Sequence, residues 1–120
     1  MATRSQRSTA STHHQLVVSH ADAFLKAHVS DPVSLGDLCR VTGVSERTLR
    51  NAFHRVVGTS PKRYMIRARL RDAHEALRHN HEVTVTTVAT EYGFFELGRF
   101  ASIYKATFGE CPSDTLRARA

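Results

Sequence analysis

"VSERTLRNAFHR", residues 44–55, decides how the chain is read. Placed on a helix capped by Ser45, it puts Leu49, Ala52 and Phe53, continued by Val56, on one side at intervals of three and four. Arg47, Arg50, Asn51 and His54 then point elsewhere. A helix of this kind has either an ordinary solvated side or a side that binds something anionic. Its neighbours in the sequence decide between the two.

Upstream, "SLGD" (residues 34–37) spells a capping-box-like start, a serine at the cap and an acid three residues on. Leu35, Leu38 and Val41 give that short helix its apolar side, and Gly43 stops it. Before it, Val17, Ala21, Phe24, Leu25 and His28 outline a first helix that ends ahead of Pro32, because the residue before a proline is pushed out of the α region. Downstream, Gly58 ends the quoted helix. Ser60 then caps the longest one, with Pro61 at its first position and Tyr64, Ile66, Leu70, Ala73 and Leu77 on one side. A short helix runs from Thr84 through Val85, Val88 and Ala89 to Gly93. Another follows from about Glu96 to Thr107 on Phe100, Ile103 and Tyr104, and "CPSDTLRARA" (residues 111–120) gives a brief last turn. No strand is read. The expected fold is all-α, with about seven helices.

The second half repeats the first. At an offset of 50, Ser34 falls on Thr84, Leu35 on Val85, Leu38 on Val88, Cys39 on Ala89 and Gly43 on Gly93. At an offset of 51, Leu49 falls on Phe100, Ala52 on Ile103, Phe53 on Tyr104, Gly58 on Gly109, Ser60 on Cys111 and Pro61 on Pro112. A duplicated unit joined by the long helix is therefore expected, with the single insertion in the turn. Each unit has the requirements of a helix-turn-helix, a small residue where two helices cross steeply and a turn residue that tolerates positive φ. Cys39 with Gly43, and Ala89 with Gly93, supply them. In such a unit the second helix packs one side on the first and offers the other, near its start, to a DNA major groove. Arg47, Arg50 and Asn51 occupy that side, where arginine pairs with guanine and asparagine with adenine.

Composition agrees. The 120 residues, 41% of them hydrophobic, suit one domain with a modest core or two very small ones sharing a helix. That is too short for most enzymes with a buried cofactor, and no catalytic constellation stands out, so neither enzymatic activity nor a cofactor is expected. The net charge of +6 points to nucleic acid, an anionic membrane surface or an acidic protein. From Arg40 to Arg78 there are ten Lys or Arg against Glu46, Asp72 and Glu75, whereas His79 to Ala120 holds four basic and five acidic residues. Two cysteines without CxxC pairing indicate neither a disulfide scaffold nor a zinc module and fit a reducing cytoplasm. No apolar run spans a membrane, and no signal peptide opens the chain. Residues 1–14, rich in Ser, Thr and Arg, read as a disordered tail or linker. The expected division continues with a first unit at 15–59, a linker helix at 60–79 and a second unit at 80–120.

With these residues in hand, the chain resembles the DNA-binding domain of the AraC/XylS family of bacterial transcription regulators. The resemblance covers residues 15–118 and rests on "LCRVTGVSERTLRNAFHRVVGTSPKRYMIRARLRDAHEAL" and "VTTVATEYGFFELGRFASIYKATFGECP". The second is close to the family signature: a Gly-Phe, a Phe seven residues after the glycine, an aromatic four later, then Phe-Gly and a Pro. The family implies two helix-turn-helix readers in successive major grooves of double-stranded DNA, with a long helix between. It puts base-contacting positions on Arg47, Arg50 and Asn51 in the first reader and on Leu97, Gly98, Arg99 and Ser102 in the second. The second set departs from the common pattern, having Gly98 and Ser102 where Ser and Arg are usual, and Glu96 brings an acid near phosphates. The first unit is therefore expected to dominate sequence reading and the second mainly to position. A linker helix of about 19 residues rises roughly 28 Å, near the DNA repeat of about 34–36 Å, so one monomer is expected to read an asymmetric site of two boxes about one turn apart.

Phosphate contacts are expected from Ser45, Thr48, Arg55, Lys62, Arg63 and Lys105, near helix ends and flanks; plain solvation is the competing reading for each. Arg67, Arg69 and Arg71 can instead brace the two halves, a role the family pattern favours for Arg69. Tyr64, Phe94, Phe100 and Phe108 read as core. The histidine clusters, His79 to His81 and His13 with His14, lack the further ligands a metal site needs. The resemblance also implies contact with RNA polymerase, as an activator, and a separate effector-binding or dimerisation domain in most members. The Ser/Thr-rich start suggests a C-terminal piece of such a regulator, while the initial Met leaves a stand-alone domain open. The competing function is a protein-interaction module on the same fold that has lost specific DNA reading.

Overall fold

Four glycines at matching points of the repeat, Gly43, Gly58, Gly93 and Gly109, all take positive φ, between 73° and 88°. They mark where helices stop. The computed structural model describes residues 2–80 and 82–118, and among these no strand occurs. The helices are α1 (Ala2–Ala27), α2 (Leu35–Thr42), α3 (Glu46–Val57), α4 (Pro61–His79), α5 (Val85–Glu91), α6 (Leu97–Phe108) and α7 (Pro112–Ala118).

The all-α architecture of seven helices is as expected. α1 begins at Ala2, within the stretch read from the sequence as a disordered tail or linker over 1–14. Nothing from Ala2 to Ala27 breaks a helix: the segment holds neither Pro nor Gly. Among the residues of α1 whose side chains are described, Val17 is the first that is buried.

The chain divides into two compact units, one made of the residues up to His28 together with Val33–Met65, the other of Val29–Pro32 and Ile66–Ala120. The first has a core of Val17, Val18, Ala21, Leu25, Leu38, Leu49, Ala52 and Phe53, with Cys39 packed against it at the expected crossing position. Tyr64 meets Phe53 edge-on, ring centroids 5.3 Å apart, and its hydroxyl donates to Asp22 Oδ1 at 2.7 Å. Val41 and Val56, read from the sequence as apolar-face residues, stay exposed.

The second core consists of Leu70, Ala73, Leu77, Val88, Ala89, Phe100 and Tyr104, with Phe94, Ile103 and Phe108 partly buried against it. The buried Tyr104 hydroxyl donates to Thr115 Oγ1 at 2.7 Å and is hydrogen-bonded to His74 Nδ1, also at 2.7 Å. Burial pushes the Tyr104 phenol above its usual pKa, and the Thr115 hydrogen bond works against that. Arg69, only 8% exposed, donates from Nη2 to the Asp31 carbonyl at 2.8 Å and so fastens the Val29–Pro32 segment within this unit. A Cβ on Gly93 would stand 2.5 Å from Arg69 Nη1 and displace that guanidinium, and the φ of 88° is itself a conformation that favours glycine. Arg67 and Arg71, considered with Arg69 as braces, are exposed.

The helix expected as a separate linker over 60–79 has no core of its own. Tyr64 and Met65 pack on the first core, whereas Ile66, Leu70, Ala73 and Leu77 belong to the second. The apolar side of α4 therefore serves both units in turn.

Candidate nucleic-acid interface

The first candidate surface begins with a firmly closed α2. Ser34 Oγ accepts from Asp37 N, and Asp37 Oδ2 accepts from Ser34 N at 2.9 Å, which completes the capping box. That backbone hydrogen bond, above all, holds the Asp37 carboxyl below its usual pKa. Gly43 then turns the chain at φ 73°, its N–H donating to the Cys39 carbonyl at 2.8 Å. Ser45 caps α3, its Oγ accepting from Thr48 N at 3.2 Å and donating to Thr48 Oγ1 at 3.1 Å.

On α3 the division of faces is complete. Leu49, Ala52 and Phe53 are fully buried, while Arg47, Arg50 and Asn51 are exposed near the helix start. Arg50 Nη2 lies 2.6 Å from Glu46 Oε1, so the cation arrives paired with an acid four residues before it. Among the flanking candidates, Ser45, Arg55, Lys62 and Arg63 are exposed and Thr48 is half-buried in the cap.

The second candidate surface differs in its chemistry. α5 is capped by Thr84, whose Oγ1 accepts from Thr87 N at 3.1 Å. At α6 the N-cap is Glu96, which makes no side-chain cap hydrogen bond. Phe100 and Tyr104 anchor α6 in the core, leaving Leu97, Gly98, Arg99, Ser102 and Lys105 exposed. Each nominated set thus lies on the exposed side of one helix. Only Arg99, Ser102 and Lys105 bring a hydrogen-bonding side chain to the second.

Sequence reading passed over Phe95, which is 61% exposed directly before α6. Its neighbour Phe94 takes the inward place against Phe100, ring centroids 4.9 Å apart. The Phe-Phe doublet was the available signal, since consecutive residues in a tight turn rarely both face inward.

Among the described residues no group of three or more His, Cys, Asp or Glu is arranged to hold a metal ion, and no helix is long and apolar enough to cross a membrane. His81, of the histidine cluster considered above, lies outside the described residues.

A family model for the helix-turn-helix domain matches residues 38–118. The chain is 42% identical over 103 residues to XylDLEGF operon transcriptional activator 3 of Pseudomonas putida, covering 80% of this chain and 30% of that protein. It is 36% identical, with a TM-score of 0.77, to the crystal structure of a probable AraC family transcriptional regulator from Rhodopseudomonas palustris CGA009, covering 86% of this chain and 96% of that one. The DNA-binding domain of AdpA, a global transcriptional factor solved in complex with a target DNA, shares the fold at a TM-score of 0.78 and 20% identity, over 86% of this chain and 91% of that one. The chain spans about 30% of the length of the P. putida activators that it matches at 42% identity.

Proposed function

The chain belongs to the AraC/XylS family of helix-turn-helix transcription regulators, and on that premise we propose that it reads double-stranded DNA with α3 and α6, each in a major groove. The observation that carries this reading is the exposed cluster of Arg47, Arg50 and Asn51 on the side of α3 opposite its buried residues. Guanidinium and carboxamide groups match guanine and adenine edges bidentately, which an ordinary solvated face does not require. Arg99 and Ser102 supply the corresponding hydrogen bonds from α6, with Leu97 and Gly98 beside them. Ser45, Thr48, Arg55, Lys62, Arg63 and Lys105 contact phosphates and hold the register. Polar sequence reading is concentrated in the first unit.

On the same reading the chain activates transcription through contact with RNA polymerase, in the cytoplasm at nucleoid DNA. Support for activation comes from the relatives, which are named as transcriptional activators.

The test is selection of bound sequences from a randomised duplex pool by the 120-residue chain at about 100 mM salt, because affinity without stated salt has no meaning. Two enriched boxes about 10 base pairs apart are expected. Binding that shows no enrichment and vanishes as salt rises would overturn specific reading in favour of an interaction module on the same fold.

A further inference from the structure

We infer that the second recognition helix reads the C5-methyl group of thymine through Phe95 and Leu97. Phe95 is 61% exposed and Leu97 44%, and they lie two residues apart at the start of α6, whereas Leu16, Val41 and Val56, the other exposed large apolar residues among those described, belong to the first unit. Neither Phe95 nor Leu97 contributes to the core of the second unit; Phe94 and Phe100 do. An exposed phenyl and an exposed isobutyl group two residues apart gain free energy when a partner takes both out of water.

The occupant follows from charge and position. Residues 95–98 carry no cation, and Glu96 among them is exposed, so the side chains at this end of α6 bring no positive charge to phosphates. Arg99 and Ser102, also exposed on α6, bring groups that can hydrogen-bond. Of the base edges in a major groove, thymine alone displays a methyl group, and apolar side chains are its partners. Gly98 leaves room for the approach, since a Cβ placed there would meet no atom within 4 Å. Where α3 reads by hydrogen bonds, α6 reads chiefly by apolar contact. This rests on the DNA-reading function proposed above and names the chemistry of its second half.

The experiment takes the operator selected from the pool and assigns the second unit's box as the one at which Arg99→Ala relaxes base preference. Each thymine of that box is replaced singly by deoxyuridine, which removes only the methyl, and dissociation constants are measured at fixed salt. The intact chain is expected to bind about three- to tenfold more weakly at one or two of these positions, the loss of roughly one buried methyl each. The double substitution Phe95→Ser with Leu97→Ser is expected to abolish the difference between thymine and uracil. A second box without thymine, equal affinity for uracil at every position, or an undiminished methyl effect in the double variant would each overturn the inference. The uracil arm uses the intact chain and depends on no variant folding. A pool without any enriched box would instead sink DNA reading itself, so the two failures are distinguishable.

Discussion

In α3, Arg50 Nη2 lies 2.6 Å from Glu46 Oε1, one helical turn away, with both side chains about half exposed. Such a surface pair is worth only about 0.3–0.5 kcal/mol. The guanidinium can therefore leave the carboxylate for a guanine edge at small cost, while in free protein the pair holds it over the start of the helix.

Glu46→Gln is expected to raise affinity for operator and unrelated duplex alike, by about two- to fivefold at low salt and less as salt increases, because one acid near the phosphates is removed. Titrations of both duplexes at several salt concentrations check this. A fall in operator affinity would show instead that Arg50 needs the acid for its placement.

Arg50→Ala is expected to cost about 1–3 kcal/mol of discrimination at one base position, and Arg99→Ala less. Binding of single-base operator variants measures both. A larger cost for Arg99 would overturn the concentration of polar reading in the first unit.

Gly98→Ala is expected to stabilise the chain by about 0.5–1 kcal/mol, since glycine inside a helix is unfavourable relative to alanine. Gly98 lies within α6, is absent from the positive-φ glycines and has open space where the methyl would go. Thermal unfolding of the two proteins reports the gain directly. Gly93→Ala serves as the contrast and is expected to destabilise, because its Cβ would collide with Arg69 Nη1 at a φ of 88°.

Tyr104→Phe removes the hydroxyl that links His74 Nδ1 to Thr115 Oγ1. Leaving polar partners unsatisfied in or beside a core costs about 1–3 kcal/mol, so an unfolding free energy lower by that amount, read from a lower urea midpoint, is expected. An unchanged midpoint would mean that water reaches His74 and Thr115 without disturbing the core.

Acid should weaken two helix starts together. Asp37 and Asp114 accept backbone hydrogen bonds from Ser34 N and Cys111 N, and these, above all, lower both carboxyls from 3.8. A folded-state pKa below the unfolded one means stability that is present above 3.8 and lost as pH falls through the lowered value. Asp37→Asn and Asp114→Asn are each expected to flatten the fall in melting temperature between about pH 5 and pH 2. A slope unaltered in both variants would assign the acid sensitivity to other carboxylates.

The sequence by itself determined the order of the helices and the ends of α2 and α3, because their signals are local: Ser34 with Asp37, Ser45 with Thr48, and the glycines at 43, 58, 93 and 109 act within a turn of where they stand. It also determined the duplication, since matching apolar residues recur at one spacing, and it located the exposed side of α3. Tertiary structure decided the rest. Whether an apolar side chain is covered depends on what packs over it, so Val41 and Val56 stay in water while Phe94 turns in and Phe95 out. The partners of Arg69 and Tyr104 lie 38 and 11 residues away at Asp31 and Thr115, and no periodicity specifies them. The division of α4 between two cores has the same cause, for a continuous apolar stripe does not name the surface that covers each of its turns.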